Sequence, residues 1–393
     1  MKRLRVLTMA LCLSVCLLMT GCWDGEELQQ RAIVLMLGID PGGHPGTVKV
    51  TAQVVRPHQA NLPNGKSSSG SSPEDSPVVA ISREGQDVIG ALHNIQLSID
   101  RTLFFGHLQA MMINRQLAQR GALEILNPIL QSRIARRQLW LFVSDPPTIT
   151  VLQQVPKLDV IPAMYLSNLF RNQVWVNHSY DGTIGGFHQR MATPGIEPYT
   201  FLIRTVDPHL SAPQIDGIAV FSGDRMVGSL SGSRFRGWSL MSGQLPKSTV
   251  PIACPRDPRH FFTLNVKSAH TRFRVRGWDT GRPYVNVEVS LRGTISGGPC
   301  IRSESPQGLE HLQLQAATET ANLIRDAIHW AQAELRSDVF GVGREVYRHD
   351  PKHWRGDSWW RTVFPRLGVR VHVNSEIDYM NTYHKSELIY RGS

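Results

Sequence analysis

The chain opens on a contrast of charge and hydrophobicity. Lys2, Arg3 and Arg5 precede an uncharged apolar run from Val6 to Met19. Such a run is too short for a permanent bilayer-spanning helix and suits the apolar core of an export signal. Beyond residue 21 no stretch stays apolar for long enough to predict a second span. Ala32 to Ile39 and Val48 to Val55 are rich in β-branched residues and flank Asp40-Pro41-Gly42-Gly43-His44-Pro45-Gly46, which predicts two strands around a turn. A polar serine- and glycine-rich loop follows over 57–77, and Val78 to Ser82 resumes as a strand. Val88, Ala91, Leu92, Ile95 and Ile99 then recur at steps of three and four, the apolar face of a helix. Leu108 to Ile113 reads as a buried strand, Leu117 to Ile134 as a helix interrupted at Pro128, and Leu139 to Val143 as a strand. Val151 to Asn172 reads as helical around Pro156 and Pro162. Residues 177–213, with Pro194, Gly195, Pro198, Pro208 and Pro213, read as loop-rich, and the main domain boundary is placed there.

The second half restarts with β-type segments: Ile215 to Phe221, Met226 to Leu230, Phe262 to Val266, Thr271 to Val275 and Val285 to Arg292. Gln313 to Leu335 is the clearest helix, with Ala317, Ala321, Ile324, Ile328, Ala331 and Leu335 on one face. Val369 to Val373 and Glu376 to Tyr379 close the chain as strands. The predicted fold class is α+β: a multi-domain chain of mixed α/β sheets with packed helices and no standard enzyme superfold. The predicted organisation is a signal peptide over 1–21, an N-terminal α/β region over 22–205, and a C-terminal α/β domain over 214–393 built on the helix at 313–335.

The residues just after the apolar run sharpen the export reading. Met19-Thr20-Gly21-Cys22 places small residues directly before a cysteine, the pattern of a bacterial lipobox, with methionine where leucine is most common. In that chemistry the Cys22 thiol takes a diacylglyceryl group and cleavage leaves an acylated N-terminus. Two or more acyl chains hold a protein stably at a membrane, which predicts a domain tethered to its outer face rather than crossing it. Hydrophobic content of 41% and charged content of 19% are those of a folded chain. Lys2, Arg3 and Arg5 supply three of the net +10 charges; the rest are spread without any run of five basic residues, so nucleic acid is not an expected partner. Past Cys22 there are two cysteines, Cys254 and Cys300, which an oxidising compartment permits to pair; spacing alone does not decide whether they do.

The candidate chemistry thins out on inspection. Gly341-Val342-Gly343 lacks the third glycine of a dinucleotide loop and follows a helix where a strand belongs, so a tight turn is the better reading. His349 and His353 stand at i and i+4, but Pro351 lies between them and no Glu completes a metal motif, which predicts surface histidines. His107 follows a glycine turn without any nucleophile context such as G-x-S-x-G and is expected to be a hydrogen-bonded structural residue. Trp354, Trp359 and Trp360, interleaved with Arg355 and Arg361, suit core packing first and a partner interface second. Asn177-His178-Ser179 matches a glycosylation sequon that carries little weight behind a bacterial lipobox. No catalytic residue, cofactor or metal site is assigned.

Five segments in order resemble one family. Gly21-Cys22-Trp23-Asp24 with Glu27-Leu28 and Ala32-Ile33-Val34-Leu35…Gly38-Ile39-Asp40 is similar to the start of the Ger(x)C lipoproteins, the C subunits of spore germinant receptors. Leu103-Phe104-Phe105-Gly106-His107-Leu108, Gly217-Ile218-Ala219-Val220-Phe221 and Asp338-Val339-Phe340-Gly341-Val342-Gly343 resemble its later signatures, continued by Trp354 and Phe364-Pro365. The loop at 57–77 and the region from Arg171 to Ile203 show no clear family motif. The resemblance implies a non-enzymatic, lipid-anchored subunit outside the inner spore membrane, acting in nutrient germination with two integral-membrane partners, the A and B subunits. It also implies several α/β domains of unusual topology. The competing reading is a solute-binding lipoprotein that captures a nutrient itself, which requires a cleft between domains with convergent polar groups.

Overall fold

The computed structural model describes residues 30–56, 76–132, 134–157, 159, 161–172, 182–207, 209, 211–242, 249–254, 257–296 and 306–378. Cys22, Cys300, the sequon at Asn177 and nearly all of the 57–77 loop lie outside them.

The N-terminal strands pair as the alternation of β-branched residues requires. Strands β1 (Arg31–Pro41), β2 (Val48–Val55) and β3 (Val78–Gly85) form an antiparallel ladder. Helix α1 (Val88–Gln96) starts on Asp87, whose carboxylate accepts from Gly90 N at 2.7 Å, and turns Val88, Ala91, Leu92 and Ile95 inward. The short β4 (Thr102–Phe104) lies parallel to the start of β1. Strands β5 (Ala110–Asn114), β6 (Trp140–Ser144) and β7 (Tyr199–Asp207) extend the sheet in parallel from β1. These central strands are covered on both faces, so β5 is buried along its whole length.

The sheet does not stop at the expected boundary. Strands β8 (Ala212–Ser222) and β9 (Arg225–Leu230) pair antiparallel onto β7, giving the order β3-β2-β1-β5-β6-β7-β8-β9. The division expected between 205 and 214 therefore falls at the β7–β8 connection, inside one sheet. The region expected to be loop-rich holds helix α6 (Ile184–Met191) and all of β7. Its prolines and glycines stand between these elements, at 194, 195 and 198.

Other local expectations shift for stated reasons. The helical stretch after β5 breaks at Gly121 (φ 155°) into α2 (Arg115–Arg120) and α3 (Ala122–Gln131), while Pro128 sits inside α3. Asp224 O takes the Ala122 N–H at 2.8 Å, fixing the break. The next helical stretch is two pieces, α4 (Thr148–Leu152) and α5 (Pro162–Asn172). Helix α7 (Gly232–Ser242) follows β9.

The second sheet has the order β10-β11-β12-β13, from β10 (Thr249–Ala253), β11 (Phe261–Arg276), β12 (Tyr284–Ser296) and β13 (Gly368–Asp378). The two strands expected between 262 and 275 are one, with a bulge between Val266 and Ser268 absorbing the register shift. The last two are also one, because β13 pairs parallel with β12 without interruption from Tyr284–Gly368 to Thr294–Asp378. Helix α8 (Pro306–Trp330) carries the crossover, ends in a π-helical turn over Ala331–Leu335, and stops at Arg336 (φ 50°). Helices α9 (Val342–His349) and α10 (Asp357–Val363) complete the connection. One hydrophobic cluster runs from Met36 and Met112 in the first sheet through Trp238 to Val287 in the second sheet and Ile324 on α8, so the halves share a core. Among the described residues no helix is long and apolar enough to cross a membrane.

Candidate functional site

The segment after α8 builds a buried carboxylate that accepts five hydrogen bonds. Arg336 reverses the chain and places Asp338, which is 2% exposed, beneath the start of α9. One carboxylate oxygen accepts from Phe340 N at 3.2 Å, Gly341 N at 2.9 Å and Val342 N at 3.1 Å. The other accepts from Gly343 N at 2.7 Å and from the Trp360 indole Nε1 at 2.8 Å. The anion therefore serves the unpaired amides at the N-terminus of α9. Gly341 adopts φ 78°, and a Cβ at Gly343 would lie 2.7 Å from Trp360 Cδ1, so both glycines are required by the turn. Burial pushes the Asp338 carboxyl up to about 6, against the opposing pull of its five donors. With its acceptor positions engaged by these five donors, Asp338 organises the turn.

Two further carboxylates tie this turn to the first half. Glu197 N donates to Asp338 O at 2.9 Å, and the buried Glu197 carboxylate accepts from Gly223 N at 2.7 Å and from Arg361 Nε at 2.6 Å. Gly195 N donates to Asp357 Oδ1 at 2.8 Å, while Gly195 O accepts from Arg344 N at 2.8 Å. Ser337 Oγ donates to Phe221 O at 2.6 Å. Gly195 has φ 76° and lies backbone-to-backbone on Gly343 and Arg344. The junction is thus a network of hydrogen bonds between residues 195–223 and 337–361.

The other motif segments also do structural work. Buried Asp40 accepts from Thr148 N at 2.9 Å and from Thr148 Oγ1 at 2.6 Å, capping α4, whose own N-cap Pro147 makes no side-chain cap bond. Gly38 leaves room for this contact, since its Cβ would lie 2.7 Å from Thr148 Cβ. Gly106 packs on the Phe104 ring. His107 corrects the expectation of a hydrogen-bonded structural residue: it is exposed, with its ring edge-on to Phe104 at 5.9 Å.

Beside the junction lies a cleft of about 1090 Å³ between the two halves. Arg190, Tyr199 and Trp238 line one part of it, and Phe273, Trp278 and Arg344 another. Thr271 Oγ1 and Trp278 Nε1, in its walls, are buried without a hydrogen-bond partner. His349 and His353 border the cleft but do not converge. His349 is exposed and lies 3.4 Å from Glu345, whereas His353 is half-buried rather than on the surface, 2.8 Å from Asp350 and stacked on Trp278 at 5.1 Å. Among the described residues no three or more His, Cys, Asp or Glu side chains come together as a metal site. Trp360 is buried, and half-buried Trp354 and Trp359 pack around it at 5.9 and 6.0 Å. Cys254 is buried and disulfide-bonded. The reading of residues in order missed Glu197, Asp357 and Gly195. The one local signal for the network was a lone acid, Asp338, followed by Val-Phe-Gly-Val-Gly.

Comparison with known proteins follows this two-part construction. Residues 24–205 match the family described as spore germination protein N-terminal domain, and residues 216–381 match spore germination B3/GerAC like, C-terminal. The chain belongs to the Ger(x)C family of spore germination proteins. Within this family it is 24% identical to spore germination protein KC of Bacillus subtilis (strain 168), covering 96% of each chain. It is 22% identical to spore germination protein A3 of the same organism, covering 94% of each. Its fold is similar to the crystal structure of the GerBC protein, with a TM-score of 0.52 at 15% identity, covering 90% of this chain and 99% of that one. The α+β class expected from the alternation of strands and helices is the Ger(x)C fold.

Proposed function

We propose that this Ger(x)C chain is the lipid-anchored subunit of a spore germinant receptor and acts by protein–protein contact at the membrane surface. The match of both family domains, in order over nearly the whole chain and directly behind the Gly21-Cys22 lipobox, carries this reading. The partners are the two integral-membrane receptor subunits, A and B, and Cys22 holds the chain on the outer face of the inner spore membrane. The buried carboxylates at the junction are consumed by hydrogen bonds that tie residues 195–223 to 337–361. Affinity capture of the C-terminally tagged chain from detergent-solubilised inner spore membrane tests this. Recovery of two integral-membrane proteins, with Cys22 acylated, is the expected result; recovery of the acylated chain alone refutes it. Separately, Cys22→Ala should abolish membrane retention, and unchanged retention refutes the tether.

A second reading draws on the cleft. A cavity of this size with orphaned polar atoms is the form a solute-binding lipoprotein requires. Direct nutrient capture predicts a rise in Tm with a screened nutrient, because a ligand that binds only the native state stabilises it by mass action. No shift across the nutrients that trigger the host spores would dismiss this reading.

A further inference from the structure

The outer face of the second sheet separates its charges along its length. On the inner face Ala269, Val285, Val287, Val289, Leu291 and Val373 are buried. On the outer face the cross-strand register sets Arg276 beside Tyr284, Arg274 beside Asn286 and Arg370, and Arg272 beside Glu288 and His372. Arg272, Arg274, Arg276 and Arg370 are all exposed. Glu288, 3.7 Å from Arg274, is the one carboxylate in these rows. Arg272 and Arg276 have no ion-pair or hydrogen-bond partner among the described residues. At the opposite end of the same face the charges balance: Lys267 and Arg292 meet Asp378 at 3.4 and 3.0 Å, and Arg292 also reaches Glu376 at 4.0 Å.

Arginines on a strand also guard against aggregation, but a guard works with mixed signs, as the other end of this face shows. Arg272, Arg274 and Arg276 alternate along β11, roughly 7 Å apart, with Arg370 two strands away, so four cations face the single carboxylate of Glu288 and leave an excess of positive charge that an anionic surface outside the chain would offset. The rows cover roughly 14 by 10 Å of exposed sheet, and Arg272, Arg274 and Arg276 also border the cleft. Tyr284 lies under the Arg370 guanidinium at 3.9 Å, an aromatic of the kind that sits at headgroup level.

We infer that the arginine end of this sheet docks on an anionic phospholipid surface and orients the tethered domain. The inference rests on the proposed membrane tether, which makes docking intramolecular and lets a modest attraction dominate orientation. Each arginine near an anionic bilayer changes the ratio of docked to undocked molecules about fivefold, so neutralising three lowers it on the order of a hundredfold.

The test places the full acylated chain in vesicles of phosphatidylcholine with or without phosphatidylglycerol. A fluorophore is attached through Ser290→Cys on the arginine face or, as a control, through Thr318→Cys on the exposed side of α8. The expected result is shielding of the Ser290 label from aqueous iodide only with phosphatidylglycerol, lost on raising salt, with the Thr318 label quenched equally in both. Combined Arg272→Gln, Arg274→Gln and Arg276→Gln, all exposed and tolerable to the fold, should abolish the shielding. Equal quenching at Ser290 in both vesicles, or shielding that survives the triple substitution, overturns the inference. Shielding that appears only when receptor partners are added, whatever the lipid, overturns it in favour of an acidic protein surface. The tether is judged by membrane retention of Cys22→Ala, so the two readings fail independently.

Discussion

Substitution at Gly195 isolates the contribution of the junction between the two halves. Gly195 has φ 76°, and an added Cβ would overlap Gly343 C and Arg344 N and lie 2.6 Å from Gly343 O. Because the obstacle is backbone, no rotamer change relieves it. Gly195→Ala therefore costs the left-handed conformation, about 1 kcal/mol, and displaces the two hydrogen bonds that Gly195 makes to Arg344 and Asp357. Unmade bonds at a buried site cost about 1–3 kcal/mol each, so the expected total is about 3–7 kcal/mol. Gly46 is the matched control: its φ is 81° and nothing lies within 4 Å of its added Cβ. Gly46→Ala should lose only the conformational part, about 1 kcal/mol. Asn tolerates positive φ but carries the Cβ, so Gly46→Asn should be nearly silent while Gly195→Asn stays severe. The assay is equilibrium urea unfolding followed by tryptophan fluorescence, since Trp354, Trp359 and Trp360 border the junction. Equal losses at positions 195 and 46, within about 0.5 kcal/mol, would refute the close-approach account.

The remaining predictions concern the buried carboxylates. The folded Asp338 carboxyl titrates at about 6, above its usual 3.8, so the native state holds this proton more tightly than the unfolded chain. Its contribution is full below pH 4 and lost as pH rises through 6, by about 3 kcal/mol in all. Urea midpoints for Asp338→Asn, which has no titrating proton, should lack this fall between pH 4 and 7; an unchanged slope would assign the pH dependence elsewhere. Asp40→Ala strands the Thr148 amide and hydroxyl and should cost about 2 kcal/mol, while Asp40→Asn, which keeps one acceptor, should cost clearly less. Matching midpoints for the two variants would show that Asp40 does not cap α4. Gly343→Ala drives a Cβ into the Trp360 indole and should shift its emission as well as its midpoint; an unaltered spectrum counts against the Asp338–Trp360 contact.

The elements legible in the sequence were those whose signal is local. The spacing of Val88, Ala91, Leu92 and Ile95 gives α1 because one helical face meets the core every three or four residues. Expectations failed where a local signal met a distant partner. Pro128 reads as a helix breaker, yet the break sits at Gly121, where Asp224 from the β8–β9 turn takes the next amide. Residues 177–213 read as loop-rich, yet α6 and β7 lie within them and Gly195 is a contact point for residues that follow it by about 150 positions. The pairs of short strands expected at β11 and at β13 each became one, because the continuous pairing with β12 outweighs the polar interruption.

The α+β class, and the expectation of an export signal and a lipobox, follow from residue types read in order, since each depends on side chains within a few positions of one another. That β8 and β9 complete the first sheet, that Asp338 collects five donors, and that Arg272, Arg274, Arg276 and Arg370 share one face was decided only by the tertiary structure. Strand pairing, burial and charge adjacency are properties of residues brought together from far apart in the chain, and no local window contains both partners.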